Sequence, residues 1–314
     1  MNFISKLSVL LPAIIGLAVT GVITTCSADK KGGPAIDDST TTQLKAIRRN
    51  IREWALVDDG TAAKRHHDGV SYDTGDAVLF NGLLCTSGEA AACDSVRRSQ
   101  STTGQWFRSP SQVDTFDQNS FSRDMSLGVL AYLYTSRDKN AATNWLLYLS
   151  ANDYQLCPND TDGRCSISPT IWGLMAAVWR ELDLPLINKM KYGTIGDESA
   201  ITAQAIAAPL GYALHLQSVQ VYLRDIISGT KLPAARSVLF DRDPDNIWFA
   251  YLRMQGGDIR PIADKIITDY YPRLDPNSKL NQWSFERDSK ELAVLNSMGH
   301  EFIFLINLLI GAEK

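Results

Sequence analysis

Apolar residues along this chain follow two patterns, and both are helical. Leu44, Ile47, Ile51 and Trp54 recur every three or four positions, with Lys45, Arg48, Arg49 and Arg52 between them. This spacing predicts a surface helix with one face on a core and with Ser39 or Thr40 as N-cap. The stretch 76–85 differs, because Ala77, Val78, Leu79, Phe80, Leu83 and Leu84 leave it almost no polar face. Residues 121–134 are apolar all round in the same way, through Met125, Leu127, Val129, Leu130, Tyr132 and Leu133. So is the helix opened by Ser168 as N-cap and Pro169 as first helical residue, which runs through Ile171, Trp172, Leu174, Met175, Val178 and Trp179 and stops before Pro185. Between these runs, residues 88–99 turn polar and 140–149 read as amphipathic, capped by Asp138. Further helices are expected near 199–208, 209–227, 246–255, 259–270 and 298–310, the last nearly unbroken from Phe302 to Leu309. Alternating strand patterns are scarce, so the expectation is about ten to twelve helices and no sheet of consequence.

A helix that is apolar on every side must be surrounded by protein or by lipid. None of the internal runs reaches the ~18 residues that a bilayer span needs, which leaves protein. Amphipathic helices alternating with fully buried ones describe two concentric layers of antiparallel hairpins. The arrangement resembles the (α/α) toroid of many secreted glycosidases and polysaccharide lyases, over residues 40–311. That resemblance implies one all-α domain over 39–314, outer helices amphipathic and inner helices apolar. An irregular helical bundle or an α-solenoid is the alternative, and no strict sequence period marks a named repeat.

Composition adds the compartment. The 314 residues carry 31 Lys+Arg against 35 Asp+Glu, a net charge of -4 that gives no basic excess for a nucleic-acid backbone. Lys6 followed by the apolar run 7–23 reads as an export signal occupying residues 1–28. Its end, Ile23-Thr24-Thr25-Cys26, resembles the lipobox of bacterial lipoproteins, which implies lipidation of Cys26. Cleavage after Ala28 would instead release the protein, and an uncleaved leader would anchor it; these are the only membrane contacts expected. Residues 29–38 form a polar tether. The expected location is therefore the bacterial periplasm, the outer membrane as a lipoprotein, or the medium. Cys85 and Cys93 lie eight apart, as do Cys157 and Cys165, which suits two local disulfides rather than a CxxC redox or zinc motif.

If the hairpins alternate up and down, the inner helices all start at one mouth, where Asp76, Asp124, Ser168, His300 and Glu301 would meet. Helix N-termini present free N–H groups and a partial positive charge, which suits oxygen-rich ligands, although a carboxylate there also serves simply as a cap. Two loops, Trp106-Phe107-Arg108 and Trp283-Ser284-Phe285-Glu286-Arg287, combine aromatic faces with charge, as sugar-binding surfaces do. Tyr72-Asp73-Thr74-Gly75-Asp76 resembles the Tyr-Asp-Ala-Gly-Asp segment of inverting (α/α)6 endoglucanases, which implies Asp73 and Asp76 as candidates for activating water.

Glycoside hydrolysis needs one carboxylate and one carboxylic acid flanking the scissile bond. Asp76 is the expected base and Asp124 or Glu286 the acid, with Arg108, Arg123 and Arg287 orienting substrate and with Trp106, Trp283, His300 and Glu301 binding it. A lyase would use Tyr72 or His300 as base. The expected function is thus an exported enzyme cleaving a glycosidic bond in a poly- or oligosaccharide; the alternative is a non-enzymatic envelope lipoprotein that binds a glycan or a protein. His66 and His67 are adjacent, which precludes a helical metal pair, and Pro158 blocks the calcium-loop register of 158–163. No metal or organic cofactor motif is present, and no nucleotide-binding glycine loop.

Overall fold

The computed structural model describes residues 36–55, 62, 64–65, 72–73, 76–115, 121–158, 163, 165–191, 193, 198–276, 283–286 and 298–311. The leader, Cys26, the tether up to residue 35 and Arg287 lie outside them. The described residues are predominantly helical, and the class is all-α. Thirteen α-helices are found among them: α1 Asp38–Ala55, α2 Ala77–Thr86, α3 Ala90–Arg98, α4 Arg123–Ser136, α5 Lys139–Ala151, α6 Pro169–Glu181, α7 Asn188–Lys191, α8 Glu198–Ala207, α9 Tyr212–Ser228, α10 Pro233–Arg242, α11 Ile247–Met254, α12 Arg260–Lys265 and α13 His300–Ile310. The one ladder among the described residues pairs β1 (Lys64–Arg65) antiparallel with β2 (Tyr72–Asp73), Lys64 opposite Asp73. No helix among them is long and apolar enough to cross a membrane.

The helix starts follow local chemistry. Asp138 accepts from the Ala141 N–H at 2.9 Å and Ser168 from the Ile171 N–H at 3.3 Å, with Pro169 behind it, as expected. At α1 the capping side chain is Asp37, which accepts from Thr40 N–H at 2.8 Å, rather than Ser39 or Thr40. α10 is a helix that periodicity did not announce: its buried face is only Ala235, Arg236 and Leu239, and one of those three is charged.

Burial separates the helices into the two kinds foreseen. α2 buries every residue from Ala77 to Cys85, α4 from Met125 to Leu133, α6 from Ile171 to Trp179, and α13 from His300 to Asn307. α3 buries only Ala92, Ser95 and Val96, and α8 only Ile201 and Ala205. The enclosed helices pack on one another: α2 on α4 and α13, α4 on α6 and α9, and α6 on α9. α2 and α4 meet backbone to backbone. A Cβ built on Gly82 would lie 2.2 Å from the Gly128 carbonyl oxygen, and one on Gly128 would lie 2.2 Å from the Val78 carbonyl oxygen. Only glycine permits that approach.

Cys85–Cys93 and Cys157–Cys165 form disulfides, with Cα atoms 4.8 and 5.4 Å apart. A buried polar network fastens α1 and α13 to the start of α3. Arg48 donates to Asn307 Oδ1 at 2.6 Å, Asn307 donates to Glu89 Oε1 at 2.8 Å, and Arg52 pairs with Glu89 at 2.5 Å. Burying charge is tolerated here because each group has a partner of opposite demand.

Candidate functional site

Asp76 precedes α2 and Asp124 is the second residue of α4. Both stand where a carboxylate commonly serves as a helix cap. Asp76, at the N-cap position, makes no side-chain cap hydrogen bond; it pairs instead with Arg108 Nη1 at 3.2 Å. Arg108 is held there by its own backbone, whose carbonyl accepts from the Val78 N–H at 2.9 Å, one of the donors that the first turn of α2 leaves over. Asp124 accepts a hydrogen bond from the Tyr212 hydroxyl at 3.2 Å, and Tyr212 opens α9. Three helix starts, α2, α4 and α9, therefore meet.

Electrostatics ties the group together. Burial raises the Asp124 carboxyl above the usual aspartate value; the Tyr212 hydrogen bond and Arg123 oppose the rise, the negative Asp76 adds to it, and Arg108 lowers it. The Tyr212 hydroxyl is raised first by burial and then by Asp124, Asp76 and Glu286. Although 38% of Tyr212 is exposed, its hydroxyl end bonds Asp124 and feels the charge of two further carboxyl groups. Glu286, on the short turn Ser284–Glu286, is thus close enough to act on the same hydroxyl as Asp76 and Asp124. Asp76, Asp124, Arg108 and Arg123 therefore act electrostatically on one another, and Glu286 acts on the Tyr212 hydroxyl that Asp124 binds. Asp124 is half-buried and Arg123 exposed, while Glu286 is only 5% exposed.

The remaining expected residues with described side chains are inside the packing rather than on an open surface. Trp106 is fully enclosed, edge-on to Tyr132 and to Trp145, with ring centroids 6.0 and 6.4 Å apart. Trp283 is fully enclosed as well, stacked on Phe80 at 4.7 Å. Neither presents a ring face for sugar stacking; both supply apolar area to the core, which is where large aromatic surfaces gain most. His300 and Glu301 are wholly buried at the start of α13, next to Gly299. Gly299 has φ +82°, and a Cβ there would lie 2.7 Å from Trp54 of α1, so the α13 start is walled by α1. Asp73 pairs through its backbone in the β1–β2 ladder, and its side chain lies outside the described atoms. Arg287 is outside the described residues.

Two members of the neighbourhood escaped sequence reasoning. Tyr212 carried no local signal; the turn at Gly211, φ +78° and ψ -135°, starts α9 so that Tyr212 occupies the first turn. His215 lies one turn further along α9, fully buried, and burial holds its pKa down to about 3. Among the described residues no group of three His, Cys, Asp or Glu is placed to hold a metal ion. Comparison of the chain with protein-family models, curated proteins and solved structures finds no match.

Proposed function

We propose that the helices form an (α/α) toroid whose mouth carries the Asp76, Asp124 and Glu286 carboxyl groups, and that the protein is an exported enzyme cleaving glycosidic bonds. One observation carries the reading: two carboxyl groups at the starts of two enclosed helices interact across the helices and with Tyr212, and Asp76 forgoes capping. A carboxylate that served only the helix would cap its own N–H groups.

The chemistry follows from the difference between the environments. Asp124, raised by burial, keeps its proton to higher pH and suits the acid that protonates the glycosidic oxygen as its bond to the anomeric carbon breaks. Asp76, paired with Arg108, suits the carboxylate that takes a proton from water as the water oxygen bonds to the anomeric carbon. Water is consumed, one proton reaches the leaving sugar, and the acid is restored by the proton the base accepted. Glu286 is the second candidate for either role, being in range of the same hydroxyl.

The test is reducing-sugar release, with unsaturated-product absorbance alongside it, over a panel of polysaccharides for the wild type, Asp76→Asn and Asp124→Asn. Turnover by the wild type that falls at least ~100-fold in both variants supports the proposal. Saccharide binding without turnover in the wild type would instead establish a glycan-binding protein.

A further inference from the structure

The buried groups just beneath the carboxylates have no role in the reaction above. α2, α4 and α9 all begin at the carboxyl cluster, so the next turn of each forms a layer about 5 Å further in. In that layer stand Phe80, four residues after Asp76, and His215, three after Tyr212. Trp283 bridges them: its ring stacks on Phe80 at 4.7 Å and lies 6.3 Å from the His215 ring, tilted by 57°. All three are at most 1% exposed. Neither nitrogen of His215 has a hydrogen-bond partner, and neither does the Trp283 Nε1–H. The main-chain carbonyl of His215 is served, by Ser218 Oγ at 2.6 Å, so the backbone there is satisfied and the ring is not.

Buried donors and acceptors are almost always paired, and one imidazole with both nitrogens unpaired beside an unpaired indole N–H concentrates three exceptions in one spot. A core position would be better filled by leucine or phenylalanine. We infer that His215 and the Trp283 N–H form the floor of the binding pocket and hydrogen-bond a hydroxyl group of a neutral sugar unit. A neutral imidazole offers one donor and one acceptor, which is what a hydroxyl complements. A uronate would need a cation at that depth, and the site's described cations are Arg108, committed to Asp76, and Arg123, exposed at the rim. Burial keeps the ring neutral across the physiological range, so it supplies no charge for a carboxylate. Tyr212 shares a face of α9 with His215 one turn nearer the mouth, so the sugar enters by displacing Tyr212 from Asp124.

This inference rests on the cluster being a saccharide site, and its test separates the two. Glucose, galactose, mannose and glucuronate are titrated into the full chain while the indole N–H signal of Trp283, assigned with Trp283→Phe, is followed by NMR. A neutral sugar is expected to shift that signal and glucuronate to leave it. His215→Phe is expected to melt at a higher temperature than the wild type and to bind the neutral sugar at least tenfold more weakly, while His215→Gln, which keeps a donor and an acceptor, retains most of the affinity. No shift with any neutral sugar, equal binding of glucuronate, unchanged binding by His215→Phe, or a lower melting temperature for that variant would each overturn it. A His215→Phe protein that does not fold counts with the lower melting temperature, and His215→Gln and the Trp283 signal test the sugar contact separately. Sugar binding at this floor without glycosidic turnover leaves the inference standing and removes the catalytic proposal; turnover that ignores His215 does the reverse.

Discussion

Replacing Gly82 by alanine probes the contact that sets the distance between the two aspartates. In an isolated helix the change is favourable by about 1 kcal/mol, because alanine restricts the unfolded chain and suits the helix. Here the added Cβ would sit 2.2 Å from the Gly128 carbonyl oxygen, with the Gly128 Cα at 2.4 Å, whereas ordinary contact begins at 3.4 Å. The obstacle is backbone, which cannot rotate away, so α2 and α4 must part by about 1.2 Å in a core with no slack. Overpacking of this kind costs about 1–3 kcal/mol, and a rigid obstacle belongs at the upper end. The net expectation is a loss of about 2 kcal/mol, or a fall of roughly 3 °C in Tm for a chain of 314 residues. Gly82 is six residues from Asp76 and Gly128 four from Asp124, about 9 and 6 Å along their helices, so the parting is transmitted to the carboxyl groups. On the proposed glycosidase reading, a misplacement near 1 Å lowers turnover by about 100-fold, because two groups must flank one bond. Thermal and urea unfolding give the first quantity, and kcat on the substrate identified from the panel gives the second. A Gly82→Ala protein more stable than wild type by about 1 kcal/mol would refute the reasoning, since helix propensity alone would then govern the site.

Two other outcomes are expected. Burial raises the Asp124 pKa in the native state above its unfolded value of 3.8, so the stability associated with its neutral form is complete below that value and is lost as pH rises through the native pKa. Asp124→Asn, neutral throughout, should therefore gain melting temperature relative to wild type between about pH 3.5 and 7, and a constant difference across that range would contradict the burial argument. Asn307→Leu removes the bridge between Arg48 and Glu89 and leaves buried polar groups under-served; a loss of about 2–3 kcal/mol in urea unfolding is expected, and a neutral result would mean that solvent reaches the network.

The helices with the strongest patterns were legible because burial on all sides requires apolar residues on all sides, as in α2, α4 and α13. α10 was not, since its buried face includes Arg236, which pairs with Asp225 at 2.6 Å, and a residue satisfied by a distant partner has no signature in its own segment. Asp76 and Asp124 stood out by preceding apolar runs, whereas Tyr212 did not, because its role comes from Asp124, 88 residues away. Trp106 and Trp283 show the opposite failure. Periodicity tells which face of a helix is inward but says nothing about a loop aromatic, and only packing against Tyr132, Trp145 and Phe80 decides that both are inside.

Local sequence thus determined which segments coil, where several of them start and which are wrapped by protein, because hydrophobic periodicity and capping act within a few residues. Tertiary structure alone decided which helix starts share a neighbourhood, that Asp76 turns to Arg108 instead of its own helix, and that His215 is enclosed without a partner. Those outcomes depend on contacts between segments far apart in the chain, and the close approach of Gly82 to Gly128 that brings α2 against α4 is a property of two backbones together, which neither segment carries alone.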